Sequence, residues 1–417
     1  MVASPLFCRA SQHRHYLVRG AVFALVCLCL SGCVARLPEA SPFTALITPN
    51  HNPPEQQLLD VGIVVFESDL ETVDDVNWQY LLSRIRAAET HYMPVVLQQT
   101  LQEGGQWGDV RVVAGASNQA HVLVQALIVE SNGHTLQLAV TVRDAGGHLW
   151  FQREYTEYIG DNVFGENSLG VNDPFQGIYT RIANDLLEFK RNNLSPQYLV
   201  DLQRIARLNF ATQLAPSVFS SYLQKNEQGE LVVVGLPAAN DPYWQRIEQI
   251  GYRDQQYHDV MQQYYLGFAQ QVADSYYQWR LADYSERKRL NEQQRAAGGK
   301  LLRGTLLLGL AVSLGDTTNI WRKLGSIGAA TEGSKALVAG FDGMGVSDLA
   351  LHEAAAGFGN TVSTQVIELQ DRTISLSGTV AEQYQQWQSV LETMFAIETE
   401  IDPLLQQQIS HDQSDEP

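Results

Sequence analysis

The chain has 417 residues, with 28 Lys+Arg against 46 Asp+Glu and a formal net charge of −18. Apolar residues make up 45%, enough for a folded core and against global disorder, and the length accommodates two or three domains. So acidic a chain repels phosphate, which argues against a nucleic-acid partner.

Residues 1–19 carry Arg9, Arg14 and Arg19 and no acid. The apolar run Ala21–Leu30 follows. As a helix it is about 15 Å long, half of the hydrocarbon thickness of about 30 Å. That suits a cleavable secretory segment over residues 1–32 rather than a membrane span. The run ends in Leu30-Ser31-Gly32-Cys33. This resembles the bacterial lipobox, in which a leucine and two small residues precede the cysteine that receives diacylglycerol. The resemblance implies lipidation of Cys33, cleavage just before it, and membrane attachment through the amino-terminal acyl chains. Cys8, Cys27 and Cys29 would leave with the leader, so the mature chain would have neither a disulfide nor a thiolate metal site. Val34 follows the cysteine instead of Asp, which in lipoproteins of this type implies the outer membrane, facing the periplasm. Pro38, Pro42, Pro49, Pro53 and Pro54 mark 33–59 as a tether without periodic apolar pattern.

Residues 60–160 read as an α/β domain. Val61–Phe66 predicts a buried strand, and Trp78–Ala88 a helix. The segment from Glu89 through Pro94 leads into Val95, Leu97 and Leu101 and closes at Gly104-Gly105, since glycine there stops a helix. Val110–Val113 predicts a short strand. Three strands then alternate with tight turns: Ala120–Ser131 turns at Asn132-Gly133. Thr135–Arg143 places Leu136, Leu138, Val140 and Val142 on one face, and His148–Tyr155 returns after Asp144-Ala-Gly-Gly147. That is an antiparallel meander covered by helices.

A helical domain with a long arm spans 161–297. Asp173-Pro174 opens a helix carrying Phe175, Ile178, Ile182, Leu186 and Phe189, and Ser195-Pro196 opens another through Leu214. Asp241-Pro242 opens the longest pattern, to about Ala297, about 84 Å if unbroken, with Gly251 or Gly267 as the points that allow a break. Its stripe of Ile250, Tyr257, Met261, Tyr264, Phe268, Val272, Tyr276 and Trp279 reads as packing surface rather than a ligand site. Residues 298–360 are Gly-rich. Gly325, Ala329 and Gly333 stand four apart, as do Ala336 and Gly340, which predicts a close helix–helix seam. Residues 361–409 return to a strand pair, Val366–Leu369 with Thr373–Ser377, and a helix over Val380–Glu400. The polar tail is 410–417.

The chain lacks a Walker loop, a Gly-x-Ser-x-Gly elbow and a His-Glu-x-x-His pair. His352-Glu353 reads as a polar patch on a small-residue helix. No catalytic, metal or cofactor residue is therefore assigned, and the expectation is a protein that is not an enzyme. The fold class is α+β: an amino-terminal antiparallel sheet with helices, a long helical arm, a Gly-rich helical segment and a carboxy-terminal hairpin with its helix.

Strand Val61–Phe66, the pattern Tyr92-x-Pro94-x-x-Leu97-x-x-x-Leu101 with Gly104, and Trp107-Gly108-x-Val110-Arg111-Val112 precede the meander. Together, Val61–Tyr155 resembles the periplasmic α/β domain of curli-secretion lipoproteins of the CsgG type, the TolB amino-terminal domain and the PelC exopolysaccharide lipoproteins. The resemblance implies rings or docking platforms at the outer membrane. It leads to the expectation of an anchored assembly, secretion or export accessory factor that contacts other envelope proteins or copies of itself. The alternative is a structural or envelope-maintenance lipoprotein without an export role.

Overall fold

The computed structural model describes residues 38–48, 53–68, 76–115, 119–164, 173–313, 362–369, 372–378 and 382–397. They fall into two compact units, one holding Glu39–Glu286 with 362–397 and the other holding Pro38 with 287–313. Cys33 and the seam residues Gly325, Ala329, Gly333, Ala336 and Gly340 lie outside the described residues, as do His352 and Glu353.

Six strands form the main sheet: β1 (Val61–Val64), β2 (Glu67–Ser68), β3 (Val110–Val113), β4 (Val122–Ser131), β5 (Thr135–Asp144) and β6 (Leu149–Tyr158). The order is β3-β1-β4-β5-β6, with β2 beside β4. The strands β4, β5 and β6 make the antiparallel meander expected from the alternation. Its inward residues Leu136, Leu138, Val140 and Val142 are all fully buried. The sheet is not antiparallel throughout, however: β1 runs parallel to both β3 and β4. The reason is the connection. A 29-residue helix, α1 (Val76–Gly104), crosses from β1 to β3, and a crossover of that length returns the chain in the same direction.

Helix α1 contains Pro94 in its interior, where the sequence pattern suggests a lead-in after Ala88 rather than a continuous helix. Proline removes the N–H that would bond the carbonyl four residues back. Here that carbonyl, Thr90 O, accepts instead from the backbone N–H of Phe66 at 3.0 Å. The group freed by proline thus ties the helix to the end of β1. On the β3 edge, Gln98 Nε2 donates to Val110 O at 2.8 Å and Val112 N–H donates to Gln262 Oε1 at 3.0 Å. Glutamines from helices cover what would be an open sheet edge.

Helix α2 (Gln176–Asn193) starts three residues after Asp173. Asp173 Oδ1 caps the turn before it, accepting from Phe175 N–H at 2.8 Å. Helix α3 (Pro196–Leu214) opens as expected: Ser195 accepts from Tyr198 N–H, and proline takes the first position. The buried faces of α1 (Met93, Leu97, Leu101) and α2 (Ile178, Ile182, Leu186) share one core with the inward face of the sheet. Each such aliphatic side chain contributes about 1.5–3 kcal/mol.

A short hairpin, β7 (Leu223–Lys225) with β8 (Leu231–Val233), precedes helix α4 (Pro242–Ser313). Asp241 Oδ1 accepts from Tyr243 N–H at 2.8 Å and caps α4. The helix passes through Gly251 and Gly267 without a break and continues to Ser313, so the boundary expected at 297 falls within a helix. The stripe packs as expected. Tyr257, Met261, Phe268, Val272, Tyr276 and Trp279 are buried against Ile85, Ala88 and Val95 of α1. The strands β9 (Val362–Leu369) and β10 (Arg372–Gly378) pair antiparallel, and helix α5 (382–397) comes after them. Trp387 of α5 is fully buried, stacks on Tyr257 at 5.0 Å and donates to Asp254 Oδ1 at 2.9 Å.

Part of the segment expected to be tether is held against the fold. Ser41 N–H donates to Tyr158 O at 2.8 Å and Tyr158 N–H to Ser41 Oγ at 2.9 Å. Asn184 of α2 bonds Ile47 N–H and Ala45 O, both at 2.9 Å. The outer edge of β6 and helix α2 supply the partners, and Leu46 packs onto the core.

Candidate functional site

Two groups of polar side chains come together in the first unit. One surrounds the turn between β4 and β5. Glu89, fully buried, accepts from Ser131 Oγ, from Tyr276 OH at 2.7 Å and from Arg86. Arg280, also fully buried, donates to Asn132 O at 3.1 Å and to the Tyr276 hydroxyl. Its guanidinium lies 4.3 Å from the centre of the Phe175 ring and 4.5 Å from that of Tyr276. Gly133 N–H donates to Asp283 at 2.6 Å. Burial opposes the charge on Glu89, but Arg86, Arg280 and the hydroxyl donors outweigh it and hold its pKa below the ordinary value. Burial likewise opposes the Arg280 charge, and Tyr276, Asp173 and Glu89 outweigh it. Every partner is internal, so this group fastens α4 to the sheet. Sequence reading missed it, because Glu89 and Arg280 are 191 positions of chain apart in numbering. The available signal was charged residues, Arg280 and Asp283, directly following the apolar stripe.

The second group lines a cleft of about 670 Å³. Its floor is Asp60 and His121, which precede β1 and β4, with Gln119. One wall is α3, through Gln203, Arg204, Arg207 and Phe210; the other is the first turns of α4, through Trp244, Glu248, Gly251, Tyr252 and Gln255. The volume falls in the range of small-molecule sites. The backbone N–H of Asp60 donates to His121 Nδ1 at 2.7 Å. Nδ1 is therefore an acceptor, and the neutral ring carries its proton on Nε2. The Asp60 carboxylate, 3.5 Å from Nδ1, is then a neighbour rather than an ion-pair partner. Burial pushes the His121 pKa down, Asp60 opposes this and Arg207 adds to it, so the ring is neutral at physiological pH. Arg207 meets Glu248 at 3.4 Å and Arg204 meets Asp201 at 2.9 Å. Among the described residues, the lining contains no Ser, Thr, Cys or Lys. Apart from Gly251, considered only as a point where the helix could break, none of these residues was singled out from sequence; they have no motif spacing and are brought together by the fold.

Among the described residues, no three His, Cys, Asp or Glu side chains are placed to hold a metal ion, and no helix is long and apolar enough to cross a membrane.

Fold and cleft together define an α+β protein with a mixed sheet, helices on its inward face and a polar groove at one end of its parallel strands. No family model matches the chain, and no curated protein matches it. Among solved structures it is similar to the PelC dodecamer from Paraburkholderia phytofirmans in two crystal forms, one of a point variant. Both are 14% identical, with TM-scores of 0.21 and 0.20, covering 33% of this chain and 94% and 93% of theirs. It is also similar to the hypothetical protein CT253 from Chlamydia trachomatis, at 12% identity and a TM-score of 0.17, over 31% of this chain and 93% of that one. These are weak likenesses to about a third of the chain.

Proposed function

We propose that this protein is an outer-membrane lipoprotein, anchored through Cys33 and facing the periplasm. It acts without catalysis as an assembly, secretion or export accessory factor, through contacts with envelope proteins or copies of itself. The observation that carries the reading is the course of the chain after the lipobox. Ser41 is hydrogen-bonded to Tyr158 at the end of β6, so only eight Cα–Cα steps separate the cysteine proposed to be acylated from the folded body. Fully extended they span at most about 29 Å, which keeps the body next to the bilayer. The row Val232, Val234 and Leu236, 38%, 50% and 52% exposed, supplies an uncharged surface for a protein contact.

A deletion strain tests the role. The accessory reading predicts that an exported polymer or protein is retained while the outer membrane still excludes large antibiotics. A leaky barrier with normal export would favour envelope maintenance instead. The size of the detergent-extracted protein separates self-association from contacts with other chains.

A further inference from the structure

The edge of a sheet is a row of unpaired N–H and C=O groups, and the two edges of the main sheet are covered differently. On the β3 side, Gln98 and Gln262 from helices bond Val110 O and Val112 N–H. On the β6 side the cover is confined to one end. Just beyond the strand, Ile159 N–H donates to His134 O at 3.0 Å. Odd-numbered residues here therefore turn their backbone groups toward β5, and even-numbered ones turn them outward. Tyr158 is taken, because its carbonyl and N–H bond Ser41. Thr156 O accepts from Arg181 at 2.7 Å. Gln152 and Glu154 follow in the same register, with no bulge between Phe151 and Tyr158. Among the described residues, nothing bonds their outward N–H and C=O groups.

Gln152, Arg153 and Glu154 also have exposed side chains. Arg153 is ion-paired with Asp185 of α2. Large apolar residues stand exposed at both ends of this edge. Leu149, at its start, is 39% exposed. Phe43 lies between Ser41, which bonds Tyr158, and Ala45, which bonds Asn184, and so stands at the other end.

We propose that β6 pairs antiparallel with β6 of a second copy, about a two-fold axis through Arg153. In that register Gln152 faces the partner's Glu154, so the N–H and C=O groups left open on each copy meet those of the other. A centre at Glu154 would instead set Gln152 against Thr156, whose carbonyl Arg181 already holds. The side chains agree with the first register. Each Gln152 amide meets the partner's Glu154 carboxylate, and Asp185 neutralises the arginine at the axis. Phe43 comes to the end of the seam where the partner's Leu149 stands, which covers an exposed apolar residue at each end. Charged residues on an edge discourage indiscriminate pairing; a second copy fits because it presents the same gap at the same place. This gives the contact between copies named above a position on the molecule. It rests on that reading for self-association alone, not for lipid attachment or an export role.

The test is sedimentation and oxidative crosslinking of the full-length protein in detergent. At the axis the two residues 153 form a non-hydrogen-bonded pair with Cα atoms about 4.5 Å apart, within reach of a disulfide. Arg153→Cys should therefore run as a covalent dimer. Gln152→Cys should not, because its counterpart lies about 8 Å away on the diagonal. Both variants keep the same native cysteines, so their difference reads the position. Gln152→Glu sets carboxylates opposite each other twice and should weaken the dimer about tenfold. Adding Glu154→Gln exchanges the two ends of each pair and should restore it. The proposal is overturned by a wild type that stays monomeric at millimolar concentration. It is also overturned if folded Arg153→Cys links no better than Gln152→Cys, or if the double variant associates no better than Gln152→Glu. If Arg153→Cys does not fold, the charge exchange decides. The deletion strain reports the role and these measurements report the pairing, so either can fail alone.

Discussion

At Gly133 the turn between β4 and β5 meets the backbone of α4 with no room for a side chain. A Cβ there would lie 2.3 Å from Tyr284 N and 2.5 Å from Arg280 O. Those are main-chain atoms of a helix, which cannot step aside. Gly133→Ala should therefore cost about 1–3 kcal/mol through overpacking, read from denaturant midpoints. A midpoint equal to wild type would mean that the turn and α4 are not in contact. His91 gives a second prediction at this scale. Its Nδ1 meets Ala87 O at 3.0 Å, and its ring lies against Phe268. Burial lowers its pKa from 6.5 to about 4, with the Ala87 bond opposing. The folded state keeps the ring neutral down to about pH 4, whereas the unfolded chain takes up a proton near 6.5. Protons thus favour the unfolded state in that window, and stability falls as pH drops through it, by about 3 kcal/mol in all. His91→Phe should flatten this part of the pH profile. An identical slope in both proteins would show that His91 titrates equally in the two states.

Elements divide by how local their causes are. The meander was legible because alternation over Thr135–Asp144 fixes the register by itself. Leu138→Asp should cost about 4 kcal/mol or more, since Leu138 is fully buried. Gln137→Thr, one residue away on the other face, should stay within about 0.5 kcal/mol. Comparable melting of the two variants would contradict the register. The starts of α3 and α4 were legible for the same reason, because Ser195 and Asp241 cap within three residues of themselves. The illegible features depend on distant partners. Pro94 reads as a helix breaker until Phe66 N–H takes the orphaned Thr90 carbonyl. The parallel placement of β1 between β3 and β4 depends on α1 remaining one helix across that proline. Gly251 allows a break in α4 as well as a continuous helix, and its neighbours Phe210 and Gln119 are far away in sequence. The cleft was invisible for this reason: Asp60 and His121 are 61 positions apart, and its arginines and aromatics sit on helices whose sequence patterns report only their buried faces.

For the whole molecule, address and architecture come from different parts of the chain. The proposed address rests on the lipobox-like sequence of the amino-terminal residues, and the segment Ser41–Ile47 is fastened to β6 and α2. Phe43, 94% exposed, stands out between those two ties, on the stretch of described chain nearest Cys33 in sequence. The core has Arg280 and Glu89 at one end of the sheet and the cleft at the other. The central claim, lipid anchoring at Cys33, is tested most directly by mass spectrometry of tryptic peptides from the membrane-extracted protein. The expected result is an amino-terminal peptide Cys33–Arg36 carrying a thioether-linked diacylglycerol. Recovery of an unmodified peptide running from Gly20 through Cys33 to Arg36 would contradict it.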